Sequence, residues 1–189
     1  MNITQQLIIE HHDVKEMLHI LMNIAARIEQ TKELNAEHFA NILEFLKNFV
    51  DKCHHGKEEQ ALFPALEKAG MSSKEGILSY ILPEHDQGRK YVHEMKEAFE
   101  GYKKGDSSAL LKITEAIYFY SRLLQHHIDQ EEQHLFPMAE KMLTDEVKYN
   151  LYKQFEDIEE RVTGPGVHEK YEELIKDLSQ IYAETAESE

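Results

Sequence analysis

Apolar residues recur at intervals of three and four along almost the whole chain, which is the period of an amphipathic helix. Four long helices are predicted, beginning near residues 3, 35, 72 and 106. Asn35 is a candidate N-cap of the second helix, and Pro64 is predicted to end or break that helix. Ser72 and Glu75 form a capping box, which places the start of the third helix at Ser72.

Two shorter helices are predicted near the C-terminus, over residues 144–162 and 167–183, on either side of the Gly- and Pro-containing segment 163–166. The acidic tail, residues 184–189, is predicted to fray. No segment has the alternating pattern of a strand, so the predicted fold class is all-α. A helical bundle is expected over residues 1–143, and a C-terminal helical extension, residues 144–189, is expected to pack on the same domain.

One sequence pattern occurs twice within the long helices. Residues 54–59 read HHGKEE and residues 127–132 read HIDQEE, and each segment is followed by Gln-x-Leu-Phe-Pro. A second repeated pair, Glu10-His11 and Glu84-His85, lies in the first and third helices. The two halves are offset by about 74 residues. A repeat that supplies His and carboxylate side chains twice is what a dinuclear metal site inside a helical bundle requires.

The repeat also selects the register of the candidate ligands. His54 with Glu58 and His55 with Glu59 both have the i, i+4 spacing that places two side chains on one helix face. The counterpart of His55 is Ile128, so only the first of these pairs recurs, and His55 is set aside.

The same comparison favours His11 over His12, because His11 lies on the apolar stripe and the counterpart of His12 is Asp86. His85 also lies on an apolar stripe. The predicted metal ligands are therefore His11, His54, Glu58, His85, His127 and Glu131.

Six ionisable side chains in an apolar interior would be costly without a partner, and a pair of metal ions removes that cost. Imidazole and carboxylate donors without a thiolate suit iron, with manganese as the alternative, and disfavour a structural zinc site. Two six-coordinate ions offer about twelve positions, of which this ligand set fills about eight. The predicted site is therefore open to outside ligands.

Bulk properties narrow the function classes further. The chain has 189 residues, a net charge of −15 and a pI near 5.2, which argues against nucleic acid or an anionic membrane as a partner. No apolar run approaches a membrane span, and no signal-peptide pattern opens the chain. The single cysteine, Cys53, excludes an intrachain disulfide. A cytoplasmic location is the expectation.

Residues 5–140 resemble the hemerythrin-like, HHE cation-binding domain, through the two His/His-x-x-x-Glu sets given above. The resemblance implies an up-down-up-down four-helix bundle with a carboxylate-bridged di-iron centre that also carries an oxo or hydroxo bridge. Members handle dioxygen, peroxide, nitric oxide or iron. Oxygen-carrying hemerythrins have a second His four residues after that of the third helix, where this chain has Arg89. Their fourth-helix pattern, His-x-x-x-x-Asp, is also absent, so peroxide or nitric oxide chemistry is favoured over reversible oxygen carriage.

Five other residues could take part in the site, and the sequence alone does not decide their roles. Gly88 could open space beside the metals or allow close helix packing, and Arg89 could line the same pocket. Tyr120 could support the centre or act as a redox side chain, or it could be a core aromatic. His168 and Glu172 repeat the ligand spacing and could form an extra metal site, or they could lie on a surface helix.

Three functions remain open from the sequence. The first is a di-iron protein, peroxidase-like, catalase-like or nitric-oxide-handling, with a small diatomic or peroxide ligand and an unidentified electron donor. The second is a non-catalytic sensor of oxygen, nitric oxide or iron. The third is iron storage or ferroxidase action.

Overall fold

The fold is taken from a computed structural model, which describes residues 2–162, 164 and 167–183. Within these residues the chain is all-α, and no strand occurs. The helical segments form four long helices and two shorter C-terminal ones, as the sequence predicts. The predicted fraying of residues 184–189 and most of the predicted break at 163–166 lie outside the described residues.

The first and third long helices are continuous α-helices: α1, Gln5–Thr31, and α4, Leu78–Lys103. The second and fourth contain π-helical segments, in which the backbone hydrogen bonds span five residues and the helix is wider. The second runs through α2 (Ala36–Phe45), π1 (Leu46–His55), π2 (Glu58–Leu62) and α3 (Phe63–Lys68). The fourth runs through α5 (Ala109–Gln130), π3 (Glu131–Leu135) and α6 (Phe136–Met142).

The N-terminal end of α2 is capped as predicted. The Asn35 side chain accepts hydrogen bonds from the backbone N–H groups of Glu37 and His38. Pro64, which is predicted to end or break this helix, does not end it, because the helix continues through Pro64 to Lys68. The backbone N–H of Phe63 donates to the carbonyl of Glu58, five residues back. The missing N–H of Pro64 therefore falls where the hydrogen-bond register changes, and the helix passes through it.

The predicted start of α4 was also wrong. Ser72 makes only a local turn, in which its hydroxyl accepts from the backbone N–H of Lys74, and the helix begins six residues later at Leu78. Gly76, with φ +72°, takes the left-handed conformation just before the helix, so an α-helix cannot run from Ser72 through this position.

The buried apolar residues form two clusters, one at each end of the long helices. The larger cluster contains the buried apolar side chains of α1 between Val14 and Ile28, together with Phe45, Phe49 and Ile117. The smaller cluster contains Leu7, Leu62 and Phe136. A layer of buried ionisable residues lies between the two clusters, so the candidate site is sealed by apolar packing above and below.

The two shorter helices pack on the long ones. α7, Asp145–Val162, contacts π1 and π2, and α8, Val167–Ile181, contacts α1. Phe155 of α7 and Tyr171 of α8 are buried, and the Tyr171 ring packs against Phe45 of α2 and Phe49 of π1. The C-terminal helices therefore lie against the same segments that carry candidate ligands.

Candidate metal centre

Seven buried side chains converge in the layer between the two apolar clusters. They form two groups whose ligand atoms lie within 4.8 Å of one another. The first group is His11, His54, Glu58 and Glu131, and the second is His55, Glu58, His85 and His127. None of the seven is more than 4 % exposed. The structure thus brings together all six predicted ligands, and it adds His55.

Each of the two carboxylates faces one imidazole from each group. For Glu131, Oε2 lies 3.2 Å from His11 Nε2 and Oε1 lies 3.3 Å from His127 Nε2. For Glu58, Oε1 lies 3.7 Å from His54 Nε2 and Oε2 lies 3.4 Å from His85 Nε2. Both carboxylates are therefore placed to bridge the two groups.

His55 is the main departure from the sequence analysis, which set it aside. Its ring stacks on that of His85, with centroids 3.9 Å apart and planes 14° apart, and it belongs to the second donor group. His54 and His55 end the π-helical segment π1, whereas the counterparts, His127 and Ile128, lie in regular α-helix. Successive residues of a π-helix are separated by a smaller rotation, so two adjacent histidines can both face the interior.

The donor set passes a test of fit to metal ions. Among the described residues, seven buried donor atoms of the cluster have no hydrogen-bond partner: His11 Nε2, both ring nitrogens of His55, and all four carboxylate oxygens of Glu58 and Glu131. His85 Nε2 and His127 Nε2 lie only 3.0 Å apart. Around an octahedral ion with donors about 2.1 Å away, neighbouring donors are separated by about 3.0 Å, so these spacings suit metal coordination. Buried polar atoms without partners are costly in any other role.

A second layer of carboxylates orients four of the five imidazoles through their Nδ1 atoms. The contacts repeat between the halves of the chain, at 2.7–3.0 Å. The pairs are His54 with Glu10, His127 with Glu84, His11 with Glu132, and His85 with Glu59. A carboxylate on Nδ1 leaves Nε2 free to face a metal ion and raises the basicity of the imidazole. His55 has no such partner.

Sequence reasoning missed the role of these four carboxylates, although the signal was present. Glu10 and Glu84 precede the His of the first and third helices, and Glu59 and Glu132 follow the bridging Glu of the second and fourth. All four are part of the repeat. Their partners lie on other helices, and the sequence alone does not show which imidazole each one faces.

Cationic side chains hold three of the outer carboxylates. Lys15 contacts Glu132 at 2.8 Å, and Arg89, at the counterpart position in α4, contacts Glu59 at 2.8 Å. Lys57, which is fully buried, forms an ion pair with Glu10. The unit thus has six carboxylates against three cationic side chains, a charge excess that favours bound cations.

Lys57 also extends this arrangement to the C-terminal helices. Its Nζ donates to Glu159 Oε2 of α7 at 2.8 Å, in addition to its contact with Glu10. Its counterpart in the second half is Gln130, so the link is present on one side of the centre only.

The protonation states of the metal-free cluster follow from these contacts. Burial opposes a charge on His11, but the carboxylates of Glu131 and Glu132, which lie against its two ring nitrogens, outweigh this effect and raise its pKa to about 9. Burial likewise opposes a charge on His127, but the negative charge of Glu131 and the hydrogen bond to Glu84 raise its pKa to about 10. Burial and the neighbouring imidazoles hold the pKa of His55 well below 6.5. His55 is therefore a neutral imidazole beside protonated ones.

The remaining predicted residues divide into two sets. Gly88, Arg89 and Tyr120 line one cavity together with His55. His168 and Glu172 do not form a shared donor group: Glu172 is exposed, and His168 Nε2 lies 3.3 Å from Glu159 Oε1, in a group that includes Cys53 instead. In the described part of the chain, no helix is long and apolar enough to cross a bilayer.

The sequence matches one family model and is similar to several curated proteins. Residues 2–139 match the family model described as the hemerythrin HHE cation binding domain. The chain is similar to three relatives: the uncharacterized protein Rv1995 of Mycobacterium tuberculosis strain H37Rv, its equivalent MT2051 in strain CDC 1551, and Mb2018 of Mycobacterium bovis. Each is 23% identical over 176 residues, which is 93% of this chain and 68% of the relative. No solved structure gives a significant match.

Proposed function

Because the chain belongs to the hemerythrin HHE cation-binding domain family, we propose that it holds two iron ions and reacts with a small oxidant such as hydrogen peroxide, nitric oxide or dioxygen. The observation that carries this proposal is the sharing of Glu58 between two groups of buried donors, with its oxygens and those of Glu131 unpartnered. Manganese is the alternative metal. The proposal includes an up-down-up-down arrangement of the four long helices, supported by donors arriving from all four.

The residues divide the work of such a centre. His11 and His54 would hold one ion, and His55, His85 and His127 would hold the other. Glu58 belongs to both groups, and Glu131, which faces His11 and His127, would also contact both ions. Iron bound there would supply one-electron redox chemistry. Five imidazoles and two bridging carboxylates fill about nine of about twelve positions of two six-coordinate ions, which leaves room for an outside ligand.

The rest of the site keeps the donors in place and excludes water. The outer carboxylates fix the ring orientation of four imidazoles, and the two apolar clusters close the layer above and below. Phe136 stacks on His11 and Phe63 on His85, which covers one ring of each group with an aromatic face. The chain's own contribution is thus a dry, preorganised and negatively charged cavity.

Anaerobic loading with ferrous iron, followed by metal analysis and optical spectroscopy, tests the proposal. We expect about two irons per chain, as two donor groups imply, and a new absorption band after addition of hydrogen peroxide, nitric oxide or air. The variant Glu58→Ala serves as the control that should show neither. An unchanged spectrum with all three reagents, in protein that holds its iron, would overturn the reactivity.

A sensor is the second candidate, and one observation favours it. Lys57 connects Glu10, which orients His54, to Glu159 of α7, so a change at one metal position is transmitted by direct contacts to a C-terminal helix. Limited proteolysis of metal-free and iron-loaded protein tests this reading. Equal cleavage rates within α7 and α8 in both states would exclude it.

A further inference from the structure

One cavity of about 230 Å³ leads from the surface to the donor cluster. It lies between π1 and α4, with α5 behind it. The buried part of its wall consists of Leu46, Val50, His55, Gly88 and Tyr120. Its outer wall is charged and includes Lys47, Asp51, Arg89 and Lys96. The mouth therefore carries charged side chains beside the partly buried Leu43 and Val92, and the inside is apolar except for His55 and the phenol hydroxyl of Tyr120.

The cavity meets the centre on one side. His55, which belongs to the second donor group, lines it, whereas three larger cavities among the described residues are lined by none of the seven donors. Both ring nitrogens of His55 are buried and have no hydrogen-bond partner. The imidazole at the end of the cavity is thus the one whose orientation no carboxylate fixes.

Gly88 creates the inner space. It lies inside α4, where the backbone is helical and does not require glycine. A Cβ at this position would lie 3.5 Å from Leu124 Cδ2 and 3.7 Å from Tyr120 Cε2, which are ordinary contacts. Alanine therefore fits without displacement, and a larger side chain would occupy the cavity. The counterpart in the first half is Val14, which is 1 % exposed and packs in the core.

The walls select the chemistry of an occupant. Hydrogen peroxide would lose its hydrogen bonds to water along Leu46, Val50 and Gly88, where few polar groups can replace them. An uncharged apolar molecule loses nothing there and gains contacts. Apolar cavities of about 150 Å³ in proteins bind benzene or xenon, so the volume suffices for such a molecule.

Arg89 holds the mouth of the cavity in shape. Its guanidinium donates to Asp51 Oδ1 of π1 at 2.9 Å and to Glu59 Oε1 at 2.8 Å, while Glu59 also accepts from His85. One side chain thus links the cavity wall to the outer carboxylate of a donor imidazole. The entrance and the centre are parts of one network.

We propose that this cavity is a binding site for small, uncharged, apolar molecules, and that it is the route by which they reach the metal centre at its His55 side. The binding site stands independently of the metals, whereas the route rests on the proposed function. Within the oxidants named above, the cavity favours nitric oxide and dioxygen over hydrogen peroxide.

Xenon tests the binding site without any metal. Crystals of the metal-free, full-length protein pressurised with xenon should show it in contact with Gly88 and Tyr120, and Gly88→Val should remove it. The control is Gly101→Ala, in the same helix but away from the cavity, which should bind xenon as the wild type does. Absence of xenon from the wild-type cavity, or its retention in Gly88→Val, would overturn the site.

Stopped-flow mixing of the iron-loaded proteins with nitric oxide tests the route. We expect Gly88→Val to lower the association rate constant by roughly tenfold or more at unchanged iron content, because the route is blocked before binding. Gly88→Ala, which fits without displacement, should lie between this variant and the wild type. Xenon binding with unchanged nitric oxide rates would overturn the route alone. Protein that binds xenon but no iron would instead overturn the proposed function.

Discussion

The two halves of the chain present their bridging carboxylates alike but surround them differently. In the first half, α1 and residues 36–68, the side beyond His54 is closed by Lys57 and its ion pair with Glu10. In the second half, α4 and residues 109–142, the position that corresponds to Lys57 is occupied by Gln130. Gly88 lines a cavity at the position where the first half has Val14. One side of the donor cluster is joined to the C-terminal helices through Lys57, and the other side faces the cavity that we propose admits small molecules.

The comparison separates the residues that both donor groups need from the residues that make the two sides of the centre different. The bridging pair and the four outer carboxylates recur in both halves, so we expect them to serve both of the proposed ions. His55, Lys57 and Gly88 occur once each and differ from their counterparts. We therefore expect substitutions in the shared set to abolish the centre, and substitutions at the single positions to affect one side of it.

The largest effect is expected from the bridging carboxylates. Glu58→Ala and Glu131→Ala each remove an acceptor that faces both donor groups, and each uncovers positive charge in an apolar interior. Metal analysis after ferrous loading should fall from about two irons per chain to near zero in both variants. His12→Ala, at an exposed position, is the control and should keep the wild-type ratio. Retention of one iron by either variant would show that the carboxylate serves a single ion.

The next largest effect distinguishes the two cationic contacts to outer carboxylates. Lys57→Gln leaves Glu10, which is 2 % exposed, as a buried charge without its lysine, and should cost about 3–5 kcal/mol of the free energy of unfolding. Burial would raise the pKa of Glu10, but the hydrogen bond to His54 and the Lys57 charge hold it at about 2 in the wild type. Urea denaturation of the metal-free protein at neutral pH measures the difference.

Lys15→Gln is the matched variant for this measurement. It breaks the contact with Glu132, in which both side chains are partly exposed, so the loss should be no more than about 1 kcal/mol. Equal losses in the two variants would mean that the Lys57 contact is not a buried ion pair in solution.

The sequence predicted the features that depend on strong local or repeated signals. Helical periodicity located α1, and the capping preference of Asn35 located the start of α2. The repeat selected six side chains that the structure brings together. Comparing the halves could not reveal what they do not share, which is why His55 was set aside. Its position depends on the π-helical winding of π1, and periodicity analysis assumes a regular α-helix.

The third effect is the pH dependence of metal affinity, which follows from the protonation of the imidazoles. His11, with a pKa of about 9, and His127, with a pKa of about 10, carry protons at neutral pH in the metal-free protein. A metal ion must displace them, so metal affinity should rise by roughly tenfold per pH unit for each proton released. Competition titrations of Mn²⁺ against a chelator between pH 6.5 and 8.5 measure this slope. An affinity independent of pH would contradict the assigned protonation.

The stability of the metal-free protein should change in the opposite direction. The pKa values of His11 and His127 both lie above the ordinary value of 6.5. The ion pairs of these two imidazoles with their carboxylates therefore contribute fully to the free energy of unfolding below about pH 6.5, and this contribution is lost as the pH rises through about 9 to 10. Denaturation of the metal-free protein should thus become easier over the range in which metal binding becomes tighter.

The smallest effect tests the seventh donor. His55→Ile gives the first half the residue that the second half has at the same position, Ile128. The group containing His85 and His127 then loses one imidazole, whereas the group containing His11 keeps all its donors. We expect the affinity for one of the two ions to fall by about tenfold or more and that for the other to stay close to the wild type. Ile128→Val, a buried aliphatic change at the counterpart, should leave both affinities unchanged.

Two binding steps in a titration of metal-free protein separate these cases. A weakened second step with an intact first step is the result that the structure predicts, because the two groups share Glu58 but no imidazole. If both steps kept their wild-type affinity in His55→Ile, then His54 would be a metal ligand and the adjacent His55 would not. The six ligands predicted from the repeat would then account for metal binding. His55 would then act only as the neutral imidazole that ends the cavity, and the asymmetry between the halves would lie in access to the centre and not in its ligands.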